Sequence, residues 1–173
     1  MRPTLLSLLA FSFAGCLGYT LGPIKPNIMK DVHTICVHST RTDILQPRLE
    51  ALIANVIIRR IQRDGTYQIA DEKHADAILD CKLENLIRRP NRGVTGNQLL
   101  TAEYQLNMRV SYRLTNRKTG ELIDNRNASG SAYFFTTGTS TIASDVNQDE
   151  AQAIPIAADD MANELVSELS EGW

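Results

Sequence analysis

The feature of this sequence that most constrains its fold is a stretch in which apolar and polar residues alternate without a break. Apolar side chains occupy every second position: Ala102, Tyr104, Leu106, Met108, Val110, Tyr112 and Leu114. Polar side chains fill the positions between them: Glu103, Gln105, Asn107, Arg109, Ser111 and Arg113. Because successive side chains of a strand point to opposite faces, this pattern predicts a long strand with one face in the core and the other in water.

A hairpin is predicted directly after this strand. The segment 116–120 (NRKTG) has the composition of a tight turn, and Gly120 can adopt the positive φ that such turns need. Residues Leu122–Phe134 would then return as the partner strand. Three of its residues are small enough to leave room for helices packed over it: Ala128, Gly130 and Ala132.

Three segments nearer the N-terminus also have strand character. Val32–His38 is rich in β-branched residues, and Tyr67–Ile69 is a short extended piece. Ala75–Leu86 alternates and predicts a half-buried strand, with one side formed by Ala77, Leu79, Cys81 and Leu83. The segment Arg88–Asn97 contains a proline and two glycines, which predicts a loop.

The first helix is predicted between the first two of these strands. Thr42 or Asp43 could cap its N-terminus, Pro47 is tolerated in its first turn, and Gly65 would end it. Apolar residues recur at steps of three and four and form one face: Leu45, Leu49, Leu52, Ile53, Val56, Ile57 and Ile61. Such a helix must bury this face against an apolar layer.

A second helix is predicted near the C-terminus, over Gln148–Leu169. Its apolar face consists of Ile154, Ala157, Ala158, Met161, Leu165, Val166 and Leu169. Pro155 lies inside it and predicts a kink or a restart. The preceding segment, Thr136–Ser144, is polar and is expected to be a mobile loop.

The order of these elements is strand, helix, three strands, helix. Two strands that flank a helix favour a parallel crossover, and the later strands are hairpin neighbours. Both helices have a single apolar face, so we expect both on the same side of the sheet. The predicted fold is an α/β (α+β) two-layer sandwich over residues 32–173, in which a mixed four-stranded sheet carries two helices on one face and is bare on the other.

The N-terminus predicts export and a lipid anchor. Residues 1–15 combine Arg2 with an apolar run, Leu5–Phe13, which is too short to span a bilayer but fits a signal peptide. The residues before Cys16 (Phe-Ala-Gly) resemble a bacterial lipobox, in which the cysteine is acylated and the signal is removed. An exported protein with a chance cysteine is the alternative. Residues 16–31 would be the lipid-anchored tether, and Leu17 in place of Asp is typical of sorting to the outer membrane, on its periplasmic side.

Charge is divided along the chain although the net charge is only −2. From Lys82 to Arg126 nine basic residues stand against four acidic ones, whereas eight acidic and no basic residues follow from Asp145 to the end. Mutual neutralisation is one interpretation, and two different partner surfaces is the other. The chain has no overall excess of basic residues, so its charge does not indicate nucleic acid as a partner.

Few residues have the spacing that catalysis or metal binding requires. His33 and His38 would point to opposite faces of one strand, and His74 stands alone. No nucleophile elbow or phosphate-binding glycine loop is present. We therefore expect no catalytic residues, metal or cofactor. Cys36 and Cys81 would be allowed to pair in an oxidising compartment, but their opposite phases favour two unpaired buried thiols.

The ordered set of these features resembles the lipopolysaccharide-assembly lipoprotein family, LptE. Cys16 followed by Leu-Gly-Tyr-Thr-Leu is similar to the family's mature start, and Ala75–Leu79 (ADAIL) to the opening of its second strand. The segment 118–121 (KTGE) resembles its hairpin turn, and Ala151–Leu169 its closing helix.

This resemblance implies a function and a set of partners. Members of the family sit as a plug inside the outer-membrane β-barrel LptD, and the two place lipopolysaccharide in the outer leaflet. The resemblance implies that the polar face of the long strand meets the barrel, through Gln105, Asn107, Arg109 and Arg113. It also implies contacts between lipopolysaccharide and basic residues, for which the candidates are Arg88, Arg89, Arg92, Arg117 and Lys118.

An alternative is a lipoprotein that regulates a periplasmic enzyme, such as a peptidoglycan-synthase activator resembling LpoB. Such activators need a long disordered tether. Here about 15 residues separate Cys16 from the first strand, which span about 50 Å at most. This short reach favours a domain that stays close to its membrane.

Overall fold

The structure is a computed structural model that describes residues 25–45, 48–94, 97–135 and 143–171. The predicted signal peptide, Cys16 and the segment 136–142 lie outside the described residues. A short 3₁₀ helix over Asn27–Met29 precedes the main elements. These are β1 (Thr34–Val37), β2 (Arg41–Thr42), α1 (Leu49–Asp64), β3 (Gln68–Ile69), β4 (Ala77–Val94), β5 (Asn97–Asn116), β6 (Leu122–Phe135) and α2 (Ala143–Glu171).

The strands form one mixed sheet in the order β3-β1-β4-β5-β6, with β2 paired to β4. β1 runs parallel to both β3 and β4, so the predicted parallel pairing around the first helix is confirmed. β4, β5 and β6 are antiparallel neighbours. The described residues form a sheet of six strands rather than the predicted four. β3 coincides with the extended piece predicted at Tyr67–Ile69, whereas β2 is two residues long and too short to produce an alternating pattern.

The core lies between one face of this sheet and the two helices, as predicted. The apolar positions of β5 from Leu106 to Leu114 are buried. All seven residues predicted for the apolar face of α2 are buried too, and α2 runs without interruption through Pro155. It begins at Ala143, five residues before the predicted start, so the end of the predicted loop belongs to the helix.

The start of α1 differs from the prediction. The helix begins at Leu49, after Arg48 with φ 67°, and no side chain of the described residues caps it. Thr42 belongs to β2 instead, where its hydroxyl accepts a hydrogen bond from the Ile44 backbone N–H at 3.0 Å. Leu45 therefore lies outside the helix and is fully exposed. The predicted end is confirmed, because Gly65 adopts φ 77° and its N–H donates to the Ile61 carbonyl.

The prediction of a loop over Arg88–Asn97 is wrong, because β4 continues to Val94 and β5 begins at Asn97. A bulge at Glu84 shifts the register, so the helix-facing positions change from Leu83 before it to Leu86 after it. Pro90 pairs with Tyr104 of β5. A proline is tolerated here because, among the described residues, β4 has a neighbour on only one side beyond Leu83.

The small residues of β6 allow α2 to approach closely, as predicted. A Cβ atom on Gly130 would lie within 2.8 Å of the Met161 Cα and closer still to the Ala157 carbonyl oxygen and the Met161 nitrogen. The backbone of the helix therefore rests directly on the strand at this point.

The packed domain includes residues before Val32. Met29 is buried in the core, and the Lys25 ammonium donates to the Val32 carbonyl at 2.8 Å. The same ammonium lies 4.9 Å from the centre of the Tyr67 ring. At least the last residues of the segment expected as a tether are thus part of the packed domain.

Candidate partner-binding face

The side of the sheet opposite the helices is covered by no element of the described chain, and we call it the helix-free face. Its side chains come from alternate positions of β4, β5 and β6, which the strand register places in rows. From the β5–β6 turn outward the rows are Asp80–Arg113–Asn125, Lys82–Ser111–Asn127, Asn85–Arg109–Ser129, Ile87–Asn107–Ser131, Arg89–Gln105–Tyr133 and Arg92–Glu103–Phe135. Most of these side chains are neutral amides and hydroxyls or cations.

The four residues predicted to face a partner all lie on this face, in the central column formed by β5. Arg109 and Arg113 are exposed, whereas Gln105 and Asn107 are half-buried. The Asn107 Nδ2 atom is buried and finds no hydrogen-bond acceptor among the described residues. Glu103, predicted on the same wet face, is buried instead, because it lies between Arg92 and Phe135 of the adjacent strands.

A groove of about 460 Å³ crosses this face. Its floor includes Asn107, and its lining joins Arg89 and Arg109 on one side to Asp160 and Glu164 of α2 on the other. The groove therefore offers cationic and anionic side chains within one depression.

The carboxylates at the rim of the groove close the edge of the sheet. Asp160 accepts a hydrogen bond from the Ser131 backbone N–H at 2.9 Å, and Glu164 accepts one from the Ser129 N–H at 3.2 Å. These amides belong to β6, the last strand of the sheet, and would otherwise be free to pair with another chain. Part of the acidic charge of α2 is therefore used within the domain.

The three arginines predicted to share a loop lie on a strand, and the structure separates them. The Arg88 guanidinium is on the helix side, 2.9 Å from the Glu150 carboxylate and 5.3 Å from the centre of the Tyr104 ring. Arg89 is exposed on the helix-free face and makes no ion pair with any described residue. Arg92 lies 3.8 Å from the Glu103 carboxylate.

The other two basic candidates lie at the opposite end of the sheet. The Arg117 Nε donates to the Ala75 carbonyl at 2.6 Å, so this side chain holds the turn to the start of β4. Lys118 is exposed in the same turn. Thirteen residues of β5 separate Asn116, beside this turn, from Glu103, opposite Arg92, or roughly 40 Å at the usual rise of a strand. The five basic residues do not form one site.

The comparison with known protein families shows which family the chain belongs to. A model of the lipopolysaccharide-assembly family, LptE, matches residues 32–169. The chain belongs to the LptE family. It is accordingly a lipopolysaccharide-assembly lipoprotein that associates with the lipopolysaccharide transport machinery, and the family acts in assembly rather than in catalysis. A comparison with curated protein sequences finds no match.

Solved structures, two of them of lipoproteins, share the fold of this LptE-family chain at low sequence identity. A putative lipoprotein from Caulobacter crescentus is 14% identical, with a TM-score of 0.52 over 77% of this chain and 89% of that chain. A minor lipoprotein from Acinetobacter baumannii is 16% identical, with a TM-score of 0.50 over 82% and 92%. A hypothetical protein from Chlamydia trachomatis is 8% identical, with a TM-score of 0.54 over 80% and 96%.

Three exposed apolar side chains on the helix-free face of this LptE-family chain were not selected from the sequence. Ile87, Tyr133 and Phe135 lie at the end of the sheet that also carries Arg89 and Arg92. The signal was present, because Tyr133 and Phe135 stand out of phase with the buried positions of their strand. This end of the face combines aromatic surface with guanidinium groups.

The remaining reactive groups are held in the core or in local contacts. Burial raises the pKa of the Cys36 thiol, and it raises the pKa of Cys81 to about 12. Both thiols are free and lie on opposite faces of the sheet, so the prediction that they stay unpaired is confirmed.

The described residues contain no group of three or more His, Cys, Asp or Glu side chains that could hold a metal ion. No helix in the described part of the chain is long and apolar enough to cross a membrane.

Proposed function

We propose that this chain is anchored through acylated Cys16 on the periplasmic side of the outer membrane, where it plugs an LptD-like β-barrel and supports its assembly. In this role it would help deliver lipopolysaccharide to the outer leaflet. The observation that carries the proposal is the helix-free face, a broad polar surface opposite the core on a single sheet. Membership of the LptE family supports it.

The chemistry of the helix-free face suits the lumen of a large barrel. Such a lumen is polar and hydrated, so a plug must present hydrogen-bonding groups outward while it keeps its own core intact. The β6 column supplies neutral donors and acceptors along its length: Asn125, Asn127, Ser129 and Ser131. Arg109 and Arg113 add exposed charge beside them.

Contact with lipopolysaccharide is proposed at the end of this face that carries Arg89 and Arg92. Guanidinium groups bind phosphates through paired hydrogen bonds, and lipid A carries phosphates beside its acyl chains. The exposed rings of Tyr133 and Phe135 offer apolar surface next to these cations. Arg88 is paired with Glu150, and Arg117 donates to the Ala75 carbonyl. We therefore expect these two residues to contribute less to lipopolysaccharide binding.

Co-purification tests the barrel partner. The full lipoprotein, tagged and expressed with the LptD homologue of the same genome, should bring the barrel down in equimolar amount after detergent extraction. Reversing both exposed cations of the β5 column (Arg109→Glu with Arg113→Glu) should reduce recovery about tenfold. The same reversal on the exposed side of α1 (Arg59→Glu with Arg63→Glu) is the matched control and should leave recovery unchanged.

Two results would count against the plug. Full recovery of the barrel with the β5 variant would remove this face from the interface. Recovery of a peptidoglycan synthase in place of the barrel would favour the regulatory lipoprotein, which the family match does not favour.

Lipopolysaccharide binding is tested at the distal cations. Arg89→Glu combined with Arg92→Glu should lower the affinity for purified lipopolysaccharide about tenfold, or about 1.4 kcal/mol. Lys118→Glu reverses an exposed charge at the other end of the sheet and should have little effect on the affinity for lipopolysaccharide. Equal losses in both variants would indicate a general charge effect and would withdraw the distal site.

The anchor is tested by metabolic labelling. Wild-type protein should incorporate labelled palmitate and fractionate with the outer membrane. Cys16→Ser should incorporate none and should keep its signal peptide, which a larger apparent mass on a gel would show. Palmitate incorporation by the serine variant would contradict the assignment of the anchor.

A further inference from the structure

The outer edge of β4 beyond Leu83 has no neighbouring strand among the described residues. β1 pairs with β4 as far as Leu79, and β2 pairs only with Lys82 and Leu83. From Asn85 onward β4 pairs with β5 alone. Every residue from Ile87 to Gly93 is exposed, so no described element covers this edge.

The opposite edge of the sheet is closed. The amides of Ser129 and Ser131 on β6 are bonded to Glu164 and Asp160 of α2. The contrast is informative, because a free row of backbone donors and acceptors is a template for pairing with another chain. Two carboxylates block one long edge, whereas no described residue blocks the other.

The phase of β4 identifies the backbone groups that face the open edge. Leu79 has its side chain in the core, and its carbonyl accepts from the His38 N–H on the β1 side. Residues of β4 whose side chains point to the helix side therefore direct their backbone N–H and C=O groups away from β5. Beyond the bulge the residues with this orientation are Leu86, Arg88 and Pro90. Leu86 and Arg88 offer both N–H and C=O to an incoming strand, whereas Pro90 lacks the N–H and would end the pairing.

Charge indicates the kind of strand that fits. The segment 85–94 contains Arg88, Arg89 and Arg92 and no acidic residue. Two copies of this chain joined along the edge would bring these cations together, and like charges on adjacent strands are destabilising. An acidic strand would instead place carboxylates beside Arg89, which has no ion pair with a described residue.

We infer that the open edge of β4, from Asn85 to Arg89, binds an extended acidic segment of the barrel partner by strand addition. This inference rests on the proposed function, and adds to it a second surface, roughly perpendicular to the helix-free face. Backbone hydrogen bonds at Leu86 and Arg88 hold the segment, and Arg89 selects its charge.

Hydrogen exchange of the full lipoprotein, free and in its complex with the barrel, tests this surface. The amides of Leu86 and Arg88 should exchange at least tenfold more slowly in the complex. Arg88→Pro removes one edge amide without removing a hydrogen bond to β5, and should abolish the protection at Leu86. Arg88→Ala keeps the amide and is the matched control. Arg89→Glu should weaken the protection, whereas Lys118→Glu should not.

The outcomes separate this inference from the proposed function. A complex that forms without protection at Leu86 and Arg88 overturns the inference and leaves the plug standing. Failure to form any complex overturns both. Protection that rises with the concentration of the isolated chain would show that a second copy occupies the edge, which also overturns the inference. The wild-type exchange measurement decides these cases even if Arg88→Pro does not fold.

Discussion

Thr34 and Asp76 hold each other reciprocally across the start of the sheet. The Thr34 hydroxyl donates to the Asp76 carboxylate at 2.9 Å, and the Asp76 backbone N–H donates to the same hydroxyl oxygen at 2.9 Å. The carboxylate also accepts the backbone N–H groups of His33 and Thr34, each at 3.0 Å. With fully buried Ala75 and Ala77 on either side, Asp76 joins the beginnings of β1 and β4, which gives the Ala-Asp-Ala motif a structural explanation.

This clamp predicts a dependence of stability on pH. Hydrogen bonds from the His33 backbone N–H, and then from Thr34, lower the pKa of Asp76. A lowered pKa in the folded state stabilises the protein above the unfolded value of about 3.9, and the contribution is lost as pH falls through the folded value. Asp76→Asn should cost about 1.5 kcal/mol of unfolding free energy at pH 7. The difference from wild type, measured by urea unfolding, should shrink below about pH 4; a constant difference would contradict this origin.

The contact between Gly130 and the α2 backbone predicts a sharp effect of a single methyl group. Gly130→Ala should cost about 3 kcal/mol, because the added Cβ meets backbone atoms of Ala157 and Met161 that cannot rotate away. Gly65→Ala is the matched control. No described atom lies within 4 Å of its Cβ position, so only the strain of φ 77° remains, about 1 kcal/mol. Thermal melts of both variants compare the two costs, and equal destabilisation would mean that the helix moves aside.

The closure of the β6 edge predicts a change in hydrogen exchange. Asp160→Ala with Glu164→Ala should speed exchange at Ser129 and Ser131 at least tenfold, because their amides lose their acceptors. The variant should also self-associate more in sedimentation experiments, since an edge strand is released. Asp159→Ala removes a neighbouring charge and is the control. Unchanged exchange in the double variant would show that the carboxylates do not protect this edge.

The two faces of β5 predict opposite responses to a negative charge. Leu106→Asp places a carboxylate at a fully buried position and should prevent cooperative folding. Arg109→Asp, three residues along and exposed on the helix-free face, should change the unfolding free energy by less than about 1 kcal/mol. Circular dichroism melts distinguish them, and a normal melt for Leu106→Asp would reverse the assignment of the faces.

The buried thiols predict slow modification in the native state. Burial, with the nearby Asp80 charge as a smaller cause, raises the pKa of Cys81 to about 12. The thiolate is the reactive form, so iodoacetamide at pH 8 should label native protein very slowly. A Cys16→Ser variant should titrate with two thiols per chain in denaturant. A Cys36–Cys81 disulfide after export would contradict the placement of the two residues on opposite faces.

Much of the fold followed from short-range patterns. The alternation around Val110 correctly predicted the buried and exposed positions at the centre of β5, and Gly65 and Gly120 marked the end of α1 and a hairpin turn. These features are local, because a period of two or of 3.6 residues depends only on neighbours in sequence. The family resemblance could be recognised for the same reason, since its motifs are local too.

The candidate site was less predictable. Pro90 and the glycines near it indicated a loop, yet the strand continues because its outer side has no described neighbour to require the missing N–H. The bulge at Glu84 moved the phase, so Arg88 turns toward α2 while Arg89 turns away. No periodicity in the sequence shows where a strand will insert an extra residue as a β-bulge.

The sequence by itself therefore determined the two helices, the parallel crossover and the presence of a sheet with one polar face, because each depends on contiguous residues. Only the tertiary structure decided which cations share a surface and which edge of the sheet stays open. Those properties depend on what packs beside each strand. Asp160 and Glu164 close β6 from a helix about 30 residues away in sequence, while nothing described closes β4.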